Sequence, residues 1–140
     1  MTIAVDFDGT IVEHKFPKIG KTNLFAFETL KQLQKQKHKL ILWTYRAGKE
    51  LEDAVNFCKE NGIEFYAVNA NYPNEKINEN KVSRKIYADI YIDDRNIGGF
   101  LGWSKIWELL NNSENETLKA EKEINESSFS SKLKKIFVRK

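Results

Sequence analysis

The stretch TIAVDFDGT at residues 2–10 is a short, mostly apolar run that ends in two aspartates, a glycine and a threonine. An apolar run of this length indicates a buried β-strand. Side chains two residues apart in a strand point to the same face, so Asp6 and Asp8 would bring two negative charges together. Such charges repel unless the chain bends, or a cation or a shared proton intervenes. This cost predicts a functional site at the end of the first strand.

The rest of the chain alternates apolar runs with helical patterns. We predict further strands at residues 39–44, 63–68 and 85–92, and helices at 23–37, 48–61 and 103–110, the first of them capped by Asn23. This alternation indicates parallel βαβ units with right-handed crossovers. The apolar strands are typical of a sheet that is covered on both faces, so the predicted fold class is α/β.

The predicted strands end in residues that can carry chemistry. Asp6 and Asp8 follow the first strand, Thr44 ends the second, and Asp93 and Asp94 follow the fourth. Ligands of open parallel sheets bind beyond the carboxyl ends of the strands. We therefore expect these five residues to converge on one site.

Carboxylates and a hydroxyl in this arrangement suit the hydrolysis of a phosphate ester. One aspartate can attack phosphorus to form an aspartyl-phosphate, and a second can protonate the leaving oxygen and later deprotonate water. A divalent cation is needed because the nucleophile and the phosphate repel each other, and Mg²⁺ favours oxygen ligands. The hydroxyl of Thr44 can bind phosphoryl oxygens, and a lysine near the fourth strand can offset the remaining anionic charge.

The ordered motifs resemble those of the haloacid dehalogenase-like (HAD) phosphohydrolases. The first motif of that family appears here as DFDGT, the second as LILWT and the fourth as YIDD, over about residues 1–110. The resemblance implies a Rossmann-like parallel sheet of strand order 3-2-1-4-5 with helices on both faces. For the third motif, a lysine upstream of the acidic pair, Lys85 is the first choice, and Lys81 and Arg84 are the alternatives.

The resemblance also implies roles for single residues. Asp6 resembles the nucleophile, which is also a metal ligand. Asp8 resembles the general acid and base, which ligates the metal through its backbone carbonyl. Thr44 and Lys85 resemble the phosphate-binding pair.

The acidic pair and Arg46 complete the predicted site. Asp93 resembles the acidic metal ligand of the family, and Asp94 is expected to reach the metal, Mg²⁺, through water. Arg46 lies two residues after Thr44 and either contacts the substrate phosphate or pairs with a carboxylate. Both roles of Arg46 stay open from the sequence.

The chain leaves no room for the cap domain that most family members carry. Only about a dozen residues separate Thr10 from the first predicted helix, too few for an inserted domain. We predict a capless core at residues 1–110 and a polar linker with a basic C-terminal tail at 111–140. Because capless members act on larger substrates or borrow a lid from another subunit, a homo-oligomer is also considered.

The composition is that of a globular chain. Hydrophobic residues make up 41% and charged residues 31%, and the single cysteine, Cys58, excludes a disulfide framework. We expect a cytoplasmic protein, because neither a signal peptide nor an apolar stretch of membrane length is visible. The formal net charge of +3 is too small to imply nucleic acid by itself, and only the basic tail favours such a partner.

The sequence thus predicts a Mg²⁺-dependent phosphomonoesterase that works through an aspartyl-phosphate on an unidentified phosphorylated substrate. The alternatives are a phosphatase for nucleotides or nucleic-acid ends, and a non-catalytic module that binds a phosphorylated ligand on the same fold.

Overall fold

The structure is a computed structural model that describes residues 1–76 and 83–112. The elements, in chain order, are β1 (Thr2–Val5), α1 (Ala26–Lys35), β2 (Lys39–Leu42), α2 (Gly48–Glu60), β3 (Ala67–Val68) and β4 (Ile90–Ile92). A third helix, α3, occupies residues 103–112. The chain divides into two units, Met1–Ser104 and Lys105–Lys140, and the sheet belongs to the first. The predicted linker and basic tail lie, from residue 113 onward, outside the described residues.

All strand pairs in the sheet are parallel, and the strand order is β3-β2-β1-β4. This arrangement confirms the α/β class. The predicted order 3-2-1-4-5 is wrong, because the described residues form four strands and not five. After β4 the chain turns through three glycines with positive φ, Gly98, Gly99 and Gly102, and then enters α3. No extended apolar segment is left in this stretch to form a fifth strand.

The central strands β1 and β2 are buried on both faces. Ile3 and Val5 point to one face of the sheet and Ala4 to the other, and none of the three is more than 1% exposed. On the face of Ala4, the core also contains Ile41 and Ile86. The predicted strand 85–92 is therefore shorter than expected, because Ile86 packs onto the sheet before β4 begins.

The first helix begins differently from the prediction. Asn23 does not cap it; the N-cap residue is Phe25, in the left-handed region at φ 64°, without a side-chain capping bond. The side-chain Nδ2 of Asn23 instead donates to the carbonyl oxygen of Thr10 at 2.9 Å. The Asn23 side chain, which was predicted to cap α1, thus stabilises the turn that follows β1.

Cys58 lies on the buried side of α2. Burial raises the pKa of its thiol to about 12, so the group stays protonated and unreactive. Within the described part of the chain, none of the helices is both long and apolar enough to cross a bilayer. The cytoplasmic location and the homo-oligomer stay predictions.

Candidate active site

The site forms where β1 ends between its two neighbours. Val5 pairs with Leu42 of β2 and with Ile92 of β4, so the three strands end at one level. The Asp6 amide then donates to the carbonyl of Ile92 at 2.9 Å, which extends the pairing by one residue. The register therefore places Asp6 beside the acidic pair that follows β4.

A tight turn after Asp6 allows this approach. Its backbone bonds include Ile11 N–H to Phe7 O at 3.0 Å and Gly9 N–H to Val12 O at 2.7 Å. Gly9 has φ +91°, and a Cβ built there would lie 2.2 Å from Oδ2 of Asp94. Glycine is thus required at position 9 both for the conformation and for the contact with Asp94.

Asp6, Asp93 and Asp94 form an acidic cluster in which one carboxylate oxygen from each residue lies within 4.8 Å of the others. Asp93 is held in place because its Oδ1 accepts the amide of Arg95 at 2.7 Å. The convergence of these three residues was expected from the sequence. Asp8 lines the same cleft, but its carboxylate lies outside the cluster.

The cluster is short of positive charge. The pKa of Asp6 is raised to about 7, chiefly because burial disfavours the carboxylate and further because Asp93 and Asp94 repel it. The amide of Phe7 and the hydroxyl of Thr10 oppose this rise by donating hydrogen bonds to the carboxylate, the latter at 3.2 Å to Oδ2. A cation bound among three such oxygens would relieve the repulsion, and this donor set fits a hard divalent ion.

Asp8 is bound by Arg46 instead. The guanidinium donates from Nε to Oδ2 at 2.6 Å and from Nη2 to Oδ1 at 2.8 Å, which is a bidentate ion pair. The Arg46 side chain is 1% exposed and that of Asp8 11%. Asp8 thus reaches the solvent in a fixed orientation.

The other donors of Arg46 bind backbone carbonyls. Nη1 donates to Pro17 O at 3.0 Å and to Glu50 O at 3.5 Å, and Nη2 donates to Lys18 O at 2.9 Å. With the two bonds to Asp8, these account for all five N–H groups of a guanidinium. Of the two roles left open for Arg46, pairing with a carboxylate is the one observed, and binding of substrate phosphate is disfavoured.

Thr44 is positioned by a residue that the sequence analysis missed. Oδ1 of Asn69, just after β3, accepts the Thr44 amide at 2.8 Å, and the Asn69 amide donates to Leu42 O at 2.8 Å. Asn69 has φ 49°, a left-handed conformation that asparagine tolerates. The Thr44 hydroxyl accepts the amide of Arg46 at 3.2 Å and keeps its own proton available for a ligand.

The predicted lysine is not at this site. Lys85 is exposed, with Nζ 5.5 Å from the ring centre of Tyr91, and lines a separate cavity of about 620 Å³. Of the alternatives, Lys81 lies outside the described residues, and Arg84 is exposed and does not line the cleft. Among the described residues of the cleft, Arg95 is the cation whose side chain remains largely exposed, 78%, with Nε 3.6 Å from Asp94.

The acidic cluster, Asp8 and Thr44 share one cleft of about 610 Å³. Its other lining residues are His14, Phe16, Trp43, Tyr45, Arg46 and Arg95. This volume is within the range of pockets that bury a whole small ligand.

The turn after β1 is held by contacts that the sequence could not show. Thr10 is completely buried, and its carbonyl accepts both the Asn23 amide and the indole Nε1 of Trp103 at 2.9 Å. Trp103 is 1% exposed. Its bond to Thr10 joins residues 93 positions apart, which periodicity cannot reveal.

Comparisons with known proteins identify one relative. The chain resembles a solved structure described as the "Structure of the conserved protein coded by locus from Bacteroides thetaiotaomicron", with a TM-score of 0.76 and 53% sequence identity. The match covers 81% of this chain and 91% of that one. No protein-family model matches the chain, and no curated protein matches it.

Proposed function

The chain belongs to the same family as the conserved Bacteroides thetaiotaomicron protein, and we propose that it is a Mg²⁺-dependent phosphomonoesterase acting through an aspartyl-phosphate. One juxtaposition supports this function above all. Asp6, in an acidic cluster, and Asp8, bound by Arg46 outside that cluster, line the same cleft. Two carboxylates in such different surroundings suit two different tasks, nucleophile and general acid.

Asp6 is the nucleophile in this mechanism. Thr10 donates to Oδ2, and Oδ1 is proposed as the oxygen that attacks phosphorus. The new bond joins Oδ1 to phosphorus, while the bond between phosphorus and the ester oxygen breaks. The leaving alkoxide takes a proton from Asp8, so the first product departs as a neutral alcohol.

Asp8 then reverses its role. Its carboxylate accepts a proton from a water molecule that attacks the phosphorus of the aspartyl-phosphate, which releases inorganic phosphate and restores Asp6. Arg46 fixes both oxygens of Asp8, so the same carboxyl group faces the reacting centre in both steps. Arg46 is a positioning residue here, since its donors are bound within the protein.

Asp6, Asp93 and Asp94 would hold the Mg²⁺ ion. When bound, the ion neutralises charge on the nucleophile and the phosphate and stabilises the charge that develops between them. The Thr44 hydroxyl donates to a phosphoryl oxygen. Arg95 supplies the cation that the family pattern assigns to a lysine, because it borders the cleft and remains open to solvent.

The test is the release of phosphate from p-nitrophenyl phosphate by the purified protein, with Mg²⁺ and with EDTA. Turnover should require the metal and be lost in Asp6→Asn, which keeps the size of the side chain. The matched control is Asp53→Asn, the same change on the exposed surface of α2. An acid quench after incubation with ³²P-labelled substrate should trap label on the wild type and none on Asp6→Asn. Full activity in Asp6→Asn would exclude the mechanism.

The non-catalytic alternative makes a different forecast. Calorimetry would then detect Mg²⁺ and phosphate-ester binding, while a broad panel of esters would show no turnover above the Asp6→Asn background. That pair of results would replace the hydrolase by a binding module on the same site.

A further inference from the structure

We infer that the cleft is built for a nucleoside monophosphate, whose base would stack on an aromatic wall formed by Phe16 and Tyr45; this inference rests on the proposed function. Both residues line the cleft that contains the acidic cluster. Among its described lining residues without formal charge, Thr44 apart, every side chain carries an aromatic ring: His14, Phe16, Trp43 and Tyr45. Such side chains offer flat faces on which a ring of the ligand can stack.

Phe16 is held in place before any ligand binds. Its ring lies 5.3 Å from the guanidinium carbon of Arg46, and the ring of Phe7 lies 5.0 Å from the same carbon. Arg46 also binds the carbonyls of Pro17 and Lys18, the two residues that follow Phe16. The ring is nevertheless 52% exposed. A fixed, half-exposed ring costs little conformational entropy when a second ring stacks on it.

The loop that carries Phe16 is closed at its base. Val12 and Thr22 form an antiparallel bridge, and the Glu13 amide donates to Lys21 O at 2.8 Å. Gly20 allows this closure, because a Cβ there would lie 2.0 Å from the carbonyl oxygen of Glu13. The Phe16 side of the wall is therefore a preformed part of the fold, in contact with the same arginine that orients Asp8.

Tyr45, which directly follows the LILWT motif, is the second residue of the wall. It lies between Thr44 and Arg46 and is fully exposed, so its ring covers no other part of the protein. Exposed rings grouped around a cleft are typical of ligand-binding grooves, since exposed apolar surface does not stabilise the fold of the unbound protein. Tyr45 lines the same cleft as Thr44, whose hydroxyl is the proposed phosphate ligand.

The volume of the cleft and the charge of its lining residues further restrict the class of ligand. The cleft volume of about 610 Å³ exceeds what a phosphate group needs and suits a ligand with a sugar and a base. All five N–H groups of Arg46 are bound within the protein. Among the described lining residues, Arg95 is therefore the largely exposed cation that can contact a ligand. One open cation and one site for a metal match a monophosphate better than a di- or triphosphate chain.

The experiment compares adenosine 5′-monophosphate, ribose 5-phosphate and phenyl phosphate, since the first two differ only by the base. Affinities are measured by calorimetry on Asp6→Asn with Mg²⁺, so that binding is read without turnover. The same series is repeated with Phe16→Leu and Tyr45→Leu added, which keep apolar bulk and remove the flat ring. Tyr87→Leu is the matched control, an exposed tyrosine on the separate cavity.

The nucleotide should bind more tightly than ribose 5-phosphate by roughly 5- to 100-fold, the range for one stacked base. Phe16→Leu and Tyr45→Leu should each reduce that ratio, while Tyr87→Leu should leave it unchanged. Equal affinity for the nucleotide and ribose 5-phosphate would overturn the inference. Phenyl phosphate binding as tightly as the nucleotide would overturn the nucleoside assignment.

Failure of the inference and failure of the proposed function have different signatures. If the wild type hydrolyses all three esters with equal kcat/KM, the proposed hydrolase activity is supported and base stacking on the aromatic wall is contradicted. If no ester is hydrolysed while the nucleotide preference persists in calorimetry, base stacking is supported and the hydrolase activity is contradicted.

Discussion

Arg46 and Asp8 form a nearly fully buried, bidentate ion pair at the edge of a cleft whose floor is otherwise acidic, with donor–acceptor distances of 2.6 and 2.8 Å. Replacing the arginine by lysine keeps the charge but cannot reproduce five fixed donors. We expect Arg46→Lys to lower kcat by about 100-fold, the scale of lost general acid catalysis, with KM changed by less than about threefold. Steady-state kinetics on an alkyl phosphate measures both.

The dependence on the leaving group separates positioning from simple damage to the fold. Loss of an oriented acid should slow alkyl phosphates strongly and 2,4-dinitrophenyl phosphate little, because dinitrophenolate leaves without protonation. Asp8→Asn should show the same pattern as Arg46→Lys. A variant that slowed both substrates equally would indicate that Arg46 acts only through stability.

The contact between Gly9 and Asp94 can be tested with a matched pair of substitutions. Gly9→Ala places a Cβ 2.2 Å from Asp94 Oδ2 at a φ of +91°, whereas Gly98→Ala has φ +92° with nothing within 4 Å. Both should lose about 1–2 kcal/mol of stability from the backbone conformation. Only Gly9→Ala should also weaken Mg²⁺ binding in calorimetry, because Asp94 must move. Equal metal affinities in the two variants would contradict a role for this contact.

Asn69 offers a test of how Thr44 is held. Asn69→Gly removes the acceptor for the Thr44 amide and keeps the left-handed backbone at φ 49° accessible. We expect a rise in KM for phosphate esters of about fivefold, the worth of one hydrogen bond near 1 kcal/mol. Asn74→Gly, at φ 60° on the exposed loop after β3, is the control and should leave KM unchanged.

The raised pKa of Asp6, about 7 against an ordinary 3.8, makes the metal-free protein sensitive to pH. Between these values the unfolded chain releases a proton that the folded chain retains, so this residue lowers stability as pH rises from 4 to 7. Asp6→Asn abolishes the effect. In EDTA, the variant should melt several degrees above the wild type at pH 8 and close to it at pH 4.

Mg²⁺ provides the complementary measurement on the same two proteins. It should raise the melting temperature of the wild type at pH 8, where Asp6 is ionised, and raise that of Asp6→Asn much less. A wild type that melts above Asp6→Asn in EDTA at pH 8 would contradict the electrostatic strain assigned to the acidic cluster.

The sequence predicted those parts of the fold that depend on local pattern. β1 at Thr2–Val5 has the bounds expected from its apolar run, and α2 at Gly48–Glu60 differs from its prediction by one residue. The edge strand β3 is shorter than predicted, Ala67–Val68 instead of 63–68, because the Ile63 amide donates to the carbonyl of Cys58 in α2 at 2.9 Å and does not join the sheet. Apolar content indicates burial, but it does not distinguish a residue that is hydrogen-bonded in the sheet from a buried residue that precedes the strand.

The candidate site divides in the same way. The order of motifs was sufficient to expect Asp6, Asp93 and Asp94 together, since parallel strands end at one edge. It could not assign Arg46, whose acceptors lie 38, 29, 28 and 4 positions away in the sequence. Lys85 was chosen because it starts the fourth predicted strand upstream of the acidic pair, and this position does not reveal which cavity its side chain lines.

The hydrogen bond from the Trp103 indole to the carbonyl of Thr10 ties the turn after β1 to the far end of the first unit. During synthesis on the ribosome, the strand that carries Asp6 emerges early, but this anchor is made nearly a hundred residues later. The nascent chain should therefore lack this anchor until all four strands of the sheet have left the exit tunnel. Late completion of this kind would keep the proposed reaction centre from forming on an incompletely folded protein.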